Sequence, residues 1–304
     1  MTDRTFPAQT PLQPGDHIAV IAPSGPLDPV ALDAGVAWFA ERYRVTVGAS
    51  ARSRTGYLAG SDAERAADVT AALADPSIRA VIAARGGYGL TRLLDEHAHR
   101  WIDALKSDPK PLVGFSDVTA LHAVWSMAGV RSIHGTMVVE MGRRGGDREL
   151  VSVLEGSRPE SWTGLIPMTS VDASPVRGRA IGGNLSLLAA LQGTPCFPDL
   201  EDRVLVLEDV GEAPYRIDRM LTALRSAAAL DGVCAVVCGE FARCAAGDDG
   251  VTVESVLRER LGSLHIPVLA GAPFGHGKQH RPWVQGAQVT VLSHGEVVFE
   301  EGLA

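Results

Sequence analysis

The chain has 304 residues, 46% hydrophobic and 21% charged, which is enough apolar material for a sizeable core and a length that favours two domains over one. A formal net charge of −8 and a pI near 5.6 exclude the clustered basic footprint of a nucleic-acid binder, and no polybasic stretch suits a membrane surface. The first eleven residues lack the charged start and apolar centre of a secretion signal, and no apolar run approaches the ~20 residues that span a bilayer, so the cytoplasm is the expected compartment.

From His17 the text IAVIAPSG is a short apolar run stopped by Pro and Gly, the pattern of a buried parallel strand ending in a loop. A helix is predicted over Pro29 to Glu41, then a weak strand over Arg44 to Val47. Ser61-x-x-Glu64 fits a capping box ahead of Ala67, Val69 and Leu73, and so opens a second helix. AVIAA (80–84) is a strand broken by Gly86-Gly87-Tyr88-Gly89, PLVG (111–114) another, and DVTALHAVWSMAG after Ser116 a helix. Composition shifts over 143–177, where periodicity fades. Beyond it RVLVLED, VCAVVCGEF and IPVLAGAPFGHG read as strands, APYRIDRMLTALRSAAAL and VESVLRERLGSL as helices, and QVTVLSHGEVVFEEG as a hairpin. Strands alternating with helices predict an α/β protein with parallel sheets. The division expected is an N-terminal domain over 1–150, a linker over 151–176 and a C-terminal domain over 177–304.

Ser116, in Gly114-Phe115-Ser116-Asp117, sits where a strand gives way to a helix, at the sheet edge where open α/β folds place ligands. The setting resembles a nucleophile elbow, although Val118 occupies the last glycine position of G-x-S-x-G. Taken locally, a simple helix cap is the favoured reading. A nucleophilic hydroxyl needs a base and the base an orienting group. Of nine histidines, His97 and His99 lie in a charged stretch, His122 in a helix and His294 in a hairpin turn. His134 and His276 both follow strands beside Gly, and His276 has a glycine on each side, which lets its ring be aimed. Glu208 ends the strand VLVLE, with Asp209 and Glu212 as competitors for the orienting carboxylate.

Arg85-Gly86-Gly87-Tyr88-Gly89 matches neither the P-loop nor the dinucleotide fingerprint, and backbone approach to an oxyanion suits it better than a phosphate. No His/Asp/Glu set has metal spacing, and Cys234 and Cys238 fall inside an apolar run, so neither a metal nor any other cofactor is expected. Disulfides are not expected among Cys196, Cys234, Cys238 and Cys244.

Taken in order, PGDHIAVIAPSG, GYLAGSDAERAADV, ARGGYGLTRLL, PLVGFSDVTALH, IHGTM, AIGGNLSLLAALQGTP, LVLEDVGEAPYRIDRML, CGEF and PFGHGK resemble the LD-carboxypeptidase family of serine peptidases, which includes microcin-immunity peptidases. The resemblance implies a flavodoxin-like parallel-sheet N-terminal domain, a smaller α/β C-terminal domain and a homodimer. It implies a triad of Ser116, Glu208 and His276, with the backbone N–H groups of Gly87 and Asp117 as the oxyanion hole. It also implies the substrate, a cytoplasmic murein tetrapeptide that loses its terminal D-Ala. The segment QHRPWVQG after His276 departs from the family's usual Pro-containing apolar run, at the rim of the substrate pocket. Two rivals remain: a microcin-type peptidase cleaving an aminoacyl-nucleotide amide, and a non-catalytic module that binds muropeptides. The second would need a ruined triad, and all three residues are present.

Overall fold

The computed structural model describes residues 6–171 and 175–304; the first five residues and 172–174 of the expected linker lie outside the described residues. The chain forms two units. One comprises Met1–Arg158 with Pro282–Gly286 and Gly302–Ala304, the other Pro159–Arg281 and Ala287–Glu301.

The first unit alternates β1 (His17–Ile21), α1 (Pro29–Ala40), β2 (Arg44–Val47), α2 (Asp62–Ala74), β3 (Ile78–Ala83), α3 (Thr91–Ser107), β4 (Leu112–Gly114), α4 (Thr119–Ala128) and β5 (Ser132–His134). The parallel strands run in the order β2-β1-β3-β4-β5, the flavodoxin arrangement, and the strand Trp283–Gln285 (β11) adds antiparallel to β5. Helices α5 (Val138–Arg144) and α6 (Arg148–Leu154) complete it. Residues 18–21 and 80–83 are buried without alternation, as a strand covered on both faces requires. Pro29 opens α1 behind Asp28, whose carboxylate accepts from the Val30 amide at 3.1 Å. The capping box of α2 forms as the sequence predicts, Ser61 and Glu64 each accepting from the other's amide.

One side chain of this unit holds Phe6 and the last residues of the chain. The Arg131 guanidinium, 3% exposed, donates to the carbonyls of Phe6, Gly302 and Ala304 at 2.7 to 3.2 Å. No pattern in residues 282–286 or 302–304 announces that return, and the sequence predicts a division only over 151–176.

The second unit holds β6 (Ile166–Pro167), β7 (Val176–Asn184), α7 (Leu185–Leu191), β8 (Arg203–Val210), α8 (Pro214–Ser226), β9 (Ala235–Ala242), α9 (Val253–Gly262), β10 (Val268–Gly275) and the hairpin β12 (Gln288–Leu292)–β13 (Glu296–Phe299). Strand order is β13-β12-β7-β8-β9-β10-β6, with β7 to β10 mutually parallel. Helix α8 stops four residues before the predicted Leu230. Ala228 turns left-handed at φ +55° and Ala229 donates back to the Leu224 carbonyl, a helix-ending hydrogen bond that a run of alanines does not advertise. Leu230 is then buried beneath the turn.

Candidate active site

In the first unit, the edge of the parallel sheet gathers three loops. Phe115 is extended after β4, and Ser116 then takes φ +64°, opening a short 3₁₀ turn that leads into α4. An N-cap residue holds an extended φ, so Ser116 is not the cap that local sequence favoured. A left-handed non-glycine residue costs about 1–2 kcal/mol, and this strand–turn–helix bend is the geometry of a nucleophile elbow. The turn tolerates no side chain opposite it. A Cβ on Gly86 would stand 2.8 Å from Ser116 Cβ, 3.0 Å from Ser116 Oγ and 3.4 Å from the Asp117 amide nitrogen.

Gly86 accepts from the Gly25 amide at 3.1 Å. Because the C=O and N–H of a trans peptide point opposite ways, the Gly87 N–H is directed away from Gly25. The Asp117 side chain, 1% exposed, holds this edge together. Its Oδ2 accepts from Ser24 Oγ at 2.6 Å and from the Leu90 amide at 3.0 Å, tying the β1 and β3 loops to the Ser116 turn. Burial pushes its carboxyl above the ordinary carboxylate range, opposed by these hydrogen bonds. Sequence reading gave Asp117 only a backbone role and overlooked Ser24, although the PSG loop after β1 is where such a partner belongs.

Behind the turn, His122 on α4 meets the Gly114 carbonyl through Nε2 at 2.8 Å and Ser132 Oγ through Nδ1 at 2.7 Å. The carbonyl can only accept, so Nε2 carries the proton and Nδ1 accepts from the hydroxyl. Burial lowers the His122 pKa to about 4, whereas an unfolded histidine titrates near 6.5. Below pH 6.5 the unfolded chain therefore binds a proton that the folded chain refuses. Stability falls as pH drops from 6.5 towards 4, by about 3 kcal/mol in all. Asp117, Glu140 and Asp209, whose carboxyls burial raises, act with the opposite sign. Urea unfolding of wild type and His122→Gln from pH 7 to 4.5 isolates the histidine: the wild type should lose stability more steeply, and identical slopes would refute the assignment. His134, the other strand-end histidine, is 0% exposed and stacks on Trp283 with ring centroids 5.2 Å apart. A wholly buried ring in an aromatic stack is placed for packing.

In the second unit, Glu208 near the end of β8 is 0% exposed, and its Oε2 lies 2.7 Å from His276 Nδ1, just past β10. An imidazole that donates from Nδ1 carries its basic lone pair on Nε2. The glycines flanking His276 serve close approach more than flexibility. Gly275 has φ +119° and a Cβ there would sit 3.0 Å from Glu208 Oε2, while one on Gly277 would fall 1.1 Å from Glu240 Oε2.

The β8–β9 pairing shifts register between Leu207 and Asp209, and the two carboxylates at this end of the strand have different partners. Asp209 Oδ2 accepts from the Ser186 amide and hydroxyl, both at 2.8 Å, at the start of α7. Glu208 instead faces His276. Glu212 is engaged with Arg216, one turn along α8. Between the two carboxylates, Asn184 donates at 3.2 Å to Glu208 Oε1 and at 3.2 Å to Asp209 Oδ1. Sequence reading assigned Asn184 no role, yet an Asn before the apolar run LSLL is a helix-cap signal, and its Oδ1 does accept from Leu187. Among the described residues no three His, Cys, Asp or Glu side chains group as metal ligands do, and no helix is long and apolar enough to cross a membrane.

Comparison with known proteins places this architecture. Residues 18–135 match the LD-carboxypeptidase N-terminal domain and residues 177–291 the LD-carboxypeptidase C-terminal domain. A putative carboxypeptidase of Synechocystis is 40% identical over 90% of this chain and 90% of its own length. The murein tetrapeptide carboxypeptidase of Pseudomonas aeruginosa is 32% identical over 94% of this chain and 96% of its own. Among solved structures, the muramoyltetrapeptide carboxypeptidase of Oxalobacter formigenes superposes with a TM-score of 0.77 at 29% identity, covering 92% of this chain and 97% of that one. The microcin C7 self-immunity protein shares the fold, with a TM-score of 0.83 at 21% identity over 98% of this chain and 100% of that one. The chain belongs to the LD-carboxypeptidase family of serine peptidases.

Proposed function

We propose that this carboxypeptidase releases the terminal D-Ala of murein tetrapeptides, with Ser116, His276 and Glu208 as its triad. The observation that carries the reading is the buried Glu208 carboxylate bonded at 2.7 Å to His276 Nδ1, in a chain 32% identical to a murein tetrapeptide carboxypeptidase. His276 Nε2 takes the Ser116 proton as Oγ attacks the carbonyl of the third residue. The Gly87 and Asp117 N–H groups receive the developing oxyanion, each such donor being worth about 3–4 kcal/mol in the transition state. The imidazolium, held by Glu208, protonates the leaving D-Ala amine, and water, deprotonated by the same imidazole, releases the acyl group from Ser116. No cofactor enters these steps. Cytoplasmic action and a homodimeric assembly belong to the same reading and rest on the family resemblance.

The test is incubation with a murein tetrapeptide and mass analysis for loss of one alanine. A D-Ala terminus should be cleaved about a hundredfold faster than an L-Ala terminus. Inverting the last centre swaps methyl and hydrogen around a carboxylate the site must hold, and a displacement of ~1 Å at the reacting carbonyl costs about that much. Equal rates for the two termini, or cleavage of internal bonds, would mark a general peptidase. Faster hydrolysis of an aminoacyl-nucleotide amide would mark the microcin-type activity instead.

A further inference from the structure

The first unit carries an aromatic surface that the catalytic reading leaves unused. Tyr57 and Tyr88 are 64% and 49% exposed, yet their rings meet with centroids 5.8 Å apart and planes inclined at 53°. Single exposed aromatic residues are ordinary. Here two separate loops bring their rings together and leave both in water.

Both loops are fixed from behind. Tyr57 tips a tight turn in which Thr55 and Leu58 exchange backbone hydrogen bonds at 2.9 and 3.0 Å, and the next amide, of Ala59, donates to Ser24 at 2.9 Å. Tyr88 lies between Gly86, whose carbonyl accepts from Gly25 at 3.1 Å, and Leu90, whose amide reaches Asp117 at 3.0 Å. The groups around the Ser116 turn thus also anchor the backbones of the loops that carry these rings. Arg92, paired with Asp62 at 2.6 Å, lies within electrostatic reach of both phenols and gives the shelf a polar border. Two ring faces with phenol hydroxyls at their edges suit a ligand with one C–H face and a rim of hydroxyl and amide groups, which describes a pyranose.

The position suits such a ligand too. Tyr88 is two residues from Gly86, hence within about 7 Å of it along the chain, and Gly86 abuts Ser116. In a muramoyl-tetrapeptide the sugar is joined to the amino end of the peptide. The third residue's carbonyl is then three residues from that link, about 10 Å in extended form. We propose that Tyr57 and Tyr88 form the subsite for the muramoyl sugar of a glycosylated tetrapeptide, an inference that rests on the murein reading of the Ser116 site.

The experiment compares kcat/KM for muramoyl-tetrapeptide and for the free tetrapeptide. In Tyr57→Ala/Tyr88→Ala the ratio of the two should fall about tenfold, while Tyr57→Phe/Tyr88→Phe, which keeps both ring faces, should hold it within about twofold. Equal proportional losses on the two substrates would overturn the proposal. So would dissociation of a wild-type dimer by the alanine pair in sedimentation velocity, since that would make the surface a contact between copies. If the wild type cleaves neither substrate, the murein reading itself fails. Calorimetric titration of muramoyl-tetrapeptide then judges the shelf separately, and equal affinity in wild type and the alanine pair would dismiss it.

Discussion

Ser116→Ala should lower kcat for D-Ala release by at least ~10³-fold while the protein stays folded. Loss of the nucleophile of a triad removes the covalent route entirely, and what survives is the catalysis that oxyanion donors and binding supply alone. The backbone makes the variant informative. Ser116 sits at φ +64°, so alanine inherits the left-handed conformation while glycine relaxes it. Ser116→Gly should therefore match Ser116→Ala in inactivity but exceed it in stability by about 1 kcal/mol, seen as a shift in the urea midpoint. A Ser116→Ala enzyme retaining a tenth of wild-type turnover would remove Ser116 from the chemistry. Equal midpoints for alanine and glycine would show that the turn carries no strain.

The fold was more legible than the site. Long apolar runs such as IAVIA and VLVLE, and caps such as Ser61-x-x-Glu64, encode their elements locally, so strand and helix order followed from the text. The end of α8 did not, because its stop is a left-handed alanine rather than a glycine. Nor did the return of residues 282–286 and 302–304 to the first unit, which depends on β11 pairing with β5 and on Arg131 gripping three distant carbonyls. At the site, motif position singled out Ser116 and His276, but adjacent residues on a strand look alike in sequence. Glu208 and Asp209 are both strand-end acids in sequence, and what separates them is the partner each meets, His276 for Glu208 and Ser186 with Val210 for Asp209. The capping reading of Ser116 failed for a related reason: Ser is a common cap, and only its φ angle tells the two uses apart.

That distinction between neighbours yields the second large effect. Glu208→Gln should reduce kcat by about 10³–10⁴-fold, while Asp209→Asn should stay within about tenfold of wild type and lose stability instead. Glu208 Oε2 is 2.7 Å from His276 Nδ1; in the proposed triad its buried charge selects the tautomer with the proton on Nδ1, then stabilises the imidazolium as Nε2 takes the Ser116 proton. A glutamine fills the same space without charge. Asn184 already donates at 3.2 Å to the other Glu208 oxygen, which favours an amide orientation with the carbonyl towards Asn184 and the NH₂ towards Nδ1. Nδ1 must then accept, the proton moves to Nε2, and the base is lost. The Asp209 carboxylate meets the Ser186 amide and hydroxyl and the Val210 amide, all backbone or helix-start groups. Its amide analogue keeps one acceptor oxygen but places donors against donors, leaving buried groups unsatisfied at about 1–3 kcal/mol. The opposite pattern, an inactive Asp209→Asn and a turning-over Glu208→Gln, would hand the orienting role to Asp209.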